Sequence, residues 1–156
     1  MMYKTHLALG FLIGILTSEF LGGSHPIIYI ILVTFFSSLP DIDHPKSKIG
    51  RKFPFISWPI NLIFSHRGFF HSVFPPIILL IVFKYFNLDI IAYPIAVGYI
   101  AHLLGDTITK EGITFFHPVS KFRLRGPMRT GRFLEHIIMG LILVVDVILI
   151  LKLLNF

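Results

Sequence analysis

Three short stretches of this chain set imidazoles and carboxylates at spacings that suit metal chemistry. LPDIDHPKS, residues 39–47, carries Asp41, Asp43 and His44 between two prolines. SHRGFFHS, residues 65–72, carries His66 and His71. AHLLGD, residues 101–106, carries His102 and Asp106. Residues spaced i, i+4 share one face of a helix, so His102 and Asp106 can grip one ion. Asp41 and Asp43 are spaced i, i+2. In an extended, proline-bounded turn both would point the same way. His66 and His71 are five apart and share no helical face, which predicts His66 in a loop and His71 at a helix start. His6 and Glu135 each add a donor at the start of another apolar run.

Cysteine is absent. Thiolate ligands and disulfides are therefore excluded. Mixed imidazole and carboxylate donors suit a divalent ion, Zn²⁺ foremost, with Mn²⁺ and Fe²⁺ as alternatives. The candidates outnumber the three or four protein ligands that one ion takes. Two ions would account for that; so would one ion with separate acid–base and orienting groups.

These residues must be positioned by greasy elements. The chain is 54% hydrophobic and only 14% charged, against about 25% charged in soluble domains. The composition defines an all-α integral membrane protein, and its 156 residues form a single domain. Five apolar runs are expected to be helical: residues 5–22, 26–39, 72–87, 89–105 and 134–154. They predict a small bundle of about five helices, four to six, with polar loops on one face. The first reads as a retained helix, lacking the small-residue cleavage site of a signal peptide. A crossing needs about 20 apolar residues, so the second and third are short and call for tilt or local thinning. Residues 50–65 hold two internal prolines and Trp58, which suits an interfacial segment.

Alternating traverses test the arrangement. His6, the Asp41–His44 turn, His66 and His71, the His102/Asp106 pair, and Glu135 with His136 all fall on the side of the membrane that holds the N-terminus. Glu19, His25 and Asp89 fall opposite and do not cluster. Of 14 lysines and arginines, all but Lys84 and Lys152 also fall on the N-terminal side. The positive-inside rule makes that side cytoplasmic in a multi-pass protein. The net charge of +6 thus reports orientation, and no nucleic-acid partner is expected.

One histidine or aspartate at a helix end is most often a cap or an interface anchor. The joint placement outweighs that reading for Asp41, Asp43, His71, His102 and Asp106. His6 could equally mark the interface. His44 and His136 suit orienting or solvent-facing roles. Asp146, deep in the last helix, reads most simply as a hydrogen-bond partner for a neighbouring helix. Gly10 and Gly14 suit close contact within the bundle.

THLALG, LPDIDHPKS, HRGFFHS and AHLLGDTITKEGITFFHP, in this order, resemble the YdjM-like family of membrane-bound metal-dependent hydrolases. The resemblance runs from Thr5 to about Pro118, and the helix opening at Glu135 fits the family's last segment. It implies that His6, Asp41, Asp43, His66, His71, His102 and Asp106 are the polar signature positions. It also implies a metal-dependent hydrolase of the cytoplasmic membrane.

Metal-assisted hydrolysis would need a general base, for which Asp41 and Glu135 are the candidates. Arg67 lies between two candidate ligands, and Arg123, Arg125, Arg129 and Arg132 follow on the same side. Arginine suits phosphate recognition, although topology and binding of anionic headgroups are the simpler account of the 123–132 run. A phosphoester or ester of a lipid or lipid-linked molecule is the expected substrate, entering from the inner leaflet. Two other classes fit less well. A metal carrier would place its site near the midplane, usually within repeats. A non-catalytic regulator would hold its metal in a closed shell.

Overall fold

Small residues set how closely the helices approach. The computed structural model describes residues 1–64 and 68–154; His66 and Arg67 lie outside them. Helix α1 spans Tyr3–Leu21 and α2 spans Pro26–Phe36. Gly10 and Gly14 of α1 face α2: a Cβ on Gly10 would sit 2.4 Å from Ser37 Oγ, and one on Gly14 3.3 Å from Ile30 Cα. The Gly10/Gly14 pair thus serves contact within the bundle, as its spacing suggested.

Pro26 opens α2 at its first position, where the missing N–H costs nothing. The helix gives way to a 3₁₀ turn over Leu39–Asp43. Residues 50–65 were expected to be interfacial, and much of that stretch is helical. Short α3, Lys48–Lys52, is followed by α4, Pro54–Phe64. Phe55, Trp58 and Leu62 of α4 are exposed, which suits an apolar helix lying at headgroup level. A second 3₁₀ turn over Phe69–His71 leads into α5, Phe74–Tyr85, with Pro75 and Pro76 in its first turn.

Helix α6, Asp89–Thr107, runs unbroken through Pro94. It packs against α1, α2 and α5, and eleven of its residues are buried, the most of any helix. Gly98 makes this possible: a Cβ there would lie 2.5 Å from Val33 O and 2.9 Å from Ser37 N. Tyr99 and Leu103 of α6 form a core with Ile113. The last helix, α7, covers Phe133–Leu153 and packs on α1.

Among the described residues, four helical segments are long and apolar enough to cross a membrane: Tyr3–Leu21, Pro26–Asp43, Asp89–Thr107 and Phe133–Leu153. With 12 residues, α5 is apolar but shorter. The α6–α7 connection folds back on itself through two isolated bridges, Thr109 with Met128 and Ile113 with Leu124. Its Phe115 carbonyl accepts from Val73 N, 2.9 Å away, bracing the start of α5.

Candidate metal centre

The C-terminal end of α6 forms the floor of the site. His102 and Asp106 lie one turn apart and are fully buried. His102 Nδ1 donates to the Ser37 carbonyl at 2.8 Å. That bond fixes the ring and leaves the Nε2 lone pair facing inward. Ser37 also joins the other helices, since its hydroxyl lies 2.9 Å from the His6 carbonyl.

His71 arrives from the turn before α5. The Tyr99 hydroxyl donates to the Phe70 carbonyl at 2.6 Å and holds that turn against α6. Nδ1 of His71 bonds Asp43 Oδ2 at 2.9 Å, with both groups fully buried. A carboxylate behind an imidazole in this way sets the tautomer and makes the opposite nitrogen a better ligand. Nε2 of His71 then stands 3.3 Å from Nε2 of His102.

Two carboxylates meet these nitrogens. Asp41 Oδ1 lies 3.9 Å from His71 Nε2 and 3.8 Å from His102 Nε2. Asp106 Oδ2 lies 3.8 Å from each. Separations of 3.3 to 3.8 Å among His71 Nε2, His102 Nε2 and Asp106 Oδ2 suit three donors around one ion, with Asp41 Oδ1 3.8–3.9 Å from both nitrogens. Bonds of about 2.0–2.2 Å would put the donors about 3.3–3.6 Å apart. Oriented imidazole lone pairs opposite carboxylates form a donor set suited to a borderline divalent cation.

His6 completes the cluster from α1. Rather than marking the interface, it is buried and stacks on His102 with ring centroids 3.8 Å apart. Its Nε2 is 3.3 Å from Asp106 Oδ1, the oxygen that also meets the Met1 amino group. The other ring nitrogen of His6, Nδ1, has no hydrogen-bond partner among the described residues. Donor atoms within 4.8 Å of one another form two sets: His71, His102 and Asp106, and His6, Asp41 and His102. Both draw on His102, whose Nδ1 is engaged, so one nitrogen would have to serve both. The cluster therefore fits one ion, or a second held without His102.

The structure redraws two expectations. Asp41 and Asp43 do not point the same way. In a 3₁₀ turn of about three residues per turn, i and i+2 diverge; Asp43 lies wholly buried behind His71, while Asp41 is 20% exposed at the mouth of the site. The turn is held by Ser47 Oγ, which donates to the Asp41 carbonyl at 2.7 Å, and by Asn61 Nδ2, which donates to the Asp43 carbonyl at 2.8 Å. Glu135 is buried at the start of α7, and both its oxygens accept from backbone amides. They take Met2 N at 2.5 Å and Gly131 N at 2.6 Å. It fastens α7 to the start of α1.

Arg123, Arg125, Arg129 and Arg132 are exposed on the α6–α7 connection. His136 is exposed, with Nδ1 3.0 Å from the Arg132 carbonyl; His44 is half-buried. Asp146 is buried on α7, and neither of its carboxylate oxygens has a hydrogen-bond partner among the described residues. It lies about 16 Å along the helix from Glu135.

Lys4, Lys46, Lys48 and Arg51 do more than contribute to the charge bias across the membrane. In the structure they line a cleft of about 470 Å³ that reaches Asp41. The signal was present in the run KSKIGRK directly after the aspartate turn.

Fold and site together define a multi-pass helical membrane protein with a buried His/Asp cluster able to hold a metal ion. The chain belongs to the YdjM inner membrane protein family, whose sequence profile matches residues 1–154. It is 35% identical over 140 residues to the uncharacterized protein YvsG of Bacillus subtilis (strain 168), covering 88% of this chain and 86% of that one. It is 38% identical over 96 residues to the inner membrane protein YdjM of Escherichia coli (strain K12), covering 58% of this chain and 48% of that protein. YdjM of Shigella flexneri gives the same figures. The match thus spans about half the length of the two YdjM proteins. No solved structure matches the chain.

Proposed function

We propose that the protein is a metal-dependent hydrolase that cleaves an ester or phosphoester bond of a lipid or lipid-linked substrate at the cytoplasmic face of the membrane. One observation carries this reading. Oriented, buried imidazoles and a buried carboxylate converge beside Asp41, which is 20% exposed and lines an open cleft. Three protein donors with an accessible fourth position is the pattern of catalytic rather than structural zinc sites.

His71, His102 and Asp106 would hold the ion. A divalent cation there would supply Lewis acidity and make water acidic enough to attack near neutral pH. Asp43 and the Ser37 carbonyl keep the two imidazoles in the ligating tautomer. Asp41 takes the proton from the attacking water as general base. Glu135, with both oxygens engaged by backbone amides, serves as a positioning residue. The bias of lysine and arginine supports a cytoplasmic site. The exposed apolar face of α4 supports a substrate drawn from the lipid.

The test uses detergent-purified full chain, with metal content read by elemental analysis and turnover read on phosphoester and ester panels. Asp106→Ala should lose both metal and turnover. Asp41→Asn should keep the metal and lose about 10²–10⁴-fold in kcat. Tightly held metal with no cleavage of any panel member would favour a structural ion. Metal flux in liposomes would favour a carrier.

A further inference from the structure

We propose that the cleft between the first turn of α1 and residues 46–51 binds the phosphate group of an anionic ligand and delivers it to Asp41. The cleft is open to the surface, about 470 Å³ in volume, and lined by Tyr3, Lys4, Asp41, Lys46, Lys48 and Arg51 among others. Four cations thus surround one space with a single carboxylate at its inner edge. Among the described residues none of the four takes part in an ion pair. Their mutual repulsion is relieved when an anion enters. Lys48 Nζ lies 5.1 Å from the centre of the Tyr3 ring, a cation–π contact between two residues that line the cleft.

Position gives the charge its meaning. Asp41 belongs both to the cleft and to the donor cluster, with Oδ1 within 3.9 Å of both imidazoles. An anion seated among the lysines therefore rests against the mouth of the metal centre. The apolar face of α4 begins directly after α3, so a phosphate attached to an acyl or isoprenoid chain could keep its tail in the membrane. A soluble phosphate would use the same cations. Binding stands on the cleft alone; its catalytic use rests on the hydrolase reading above.

The experiment titrates detergent-solubilised full chain with dihexanoyl phosphatidic acid, with inorganic phosphate, and with dihexanoyl phosphatidylcholine as a tail-matched reference. Two charge-matched variants are compared, K46Q/K48Q in the cleft and R123Q/R125Q in the α6–α7 connection. The cleft pair should weaken binding of the phosphate probe by about tenfold or more, and the loop pair by no more than about twofold. A clear preference for phosphatidic acid over both other probes identifies a lipid headgroup. Equal binding of phosphatidic acid and inorganic phosphate identifies a soluble phosphate. Equal losses in the two variants, or no binding of either phosphate probe by wild type, overturn the proposal. Binding without any turnover would defeat the hydrolase reading and leave the cleft standing.

Discussion

The Nε2 atoms of His71 and His102 face each other 3.3 Å apart, while each Nδ1 is tied behind its ring, one to Asp43 and the other to the Ser37 carbonyl. With both Nδ1 atoms donating, two lone pairs are aimed at one point. Such an arrangement is unfavourable unless something positive lies between them. The pair defines the centre of the site more sharply than any single donor does.

Asp43 sets that geometry for His71. Asp43→Asn keeps a hydrogen-bond acceptor but loses the charge, so metal affinity should fall by about 10–100-fold. Asp43→Ala should cost more. Competition against a chromogenic chelator measures both. An unchanged affinity in Asp43→Asn would remove Asp43 from the support of the site.

Glu135 separates anchoring from proton transfer. Glu135→Gln replaces one of the two oxygens of a buried carboxylate, each accepting from a backbone amide, and should lower stability by about 1–3 kcal/mol. Turnover per folded molecule should be unchanged. A general base would instead lose about 10²–10⁴-fold in kcat with little change in melting temperature. Thermal unfolding in detergent and kcat on the same preparation distinguish the two.

Gly98 tests how closely α6 must approach α2. A Cβ would meet the Val33 carbonyl and the Ser37 amide, which are backbone atoms that yield little. Gly98→Ala should destabilise the protein by about 1–3 kcal/mol. It should also weaken metal binding, because Ser37 orients His102. Gly140→Ala is the control. A Cβ there meets nothing within 4 Å, so better helix propensity should leave stability unchanged or raise it by up to about 1 kcal/mol. Equal effects in the two variants would contradict the packing argument.

Much of this site could be read from sequence because it rests on short-range spacing and on parity. The His102/Asp106 pair follows from helical periodicity alone. Counting traverses was enough to bring His6, Asp41, His71 and Glu135 to one end of the bundle. The division of labour was hidden. Asp41 and Asp43 diverge because the turn is 3₁₀ rather than extended, and proline-bounded sequence permits either. The role of Glu135 depends on the amide of Met2, 133 positions away, a contact that no local pattern records. His6 was ambiguous because a histidine near a helix start looks the same whether it meets headgroups or stacks on a buried ring. The helix α4 was obscured by its prolines, although one sits at its first residue and Pro59 is carried inside.

The donors and the aspartates that support them reach the site from three elements that are distant along the chain: the turn after α2, the turn before α5, and the end of α6. An ion among them would act as a rivet, fastening parts that are otherwise joined by packing and a few hydrogen bonds. Any ligand that binds only the folded form deepens its stability, by about 2.7 kcal/mol at a hundred times its dissociation constant. The cell's supply of that ion would then govern how long the protein survives in the bilayer.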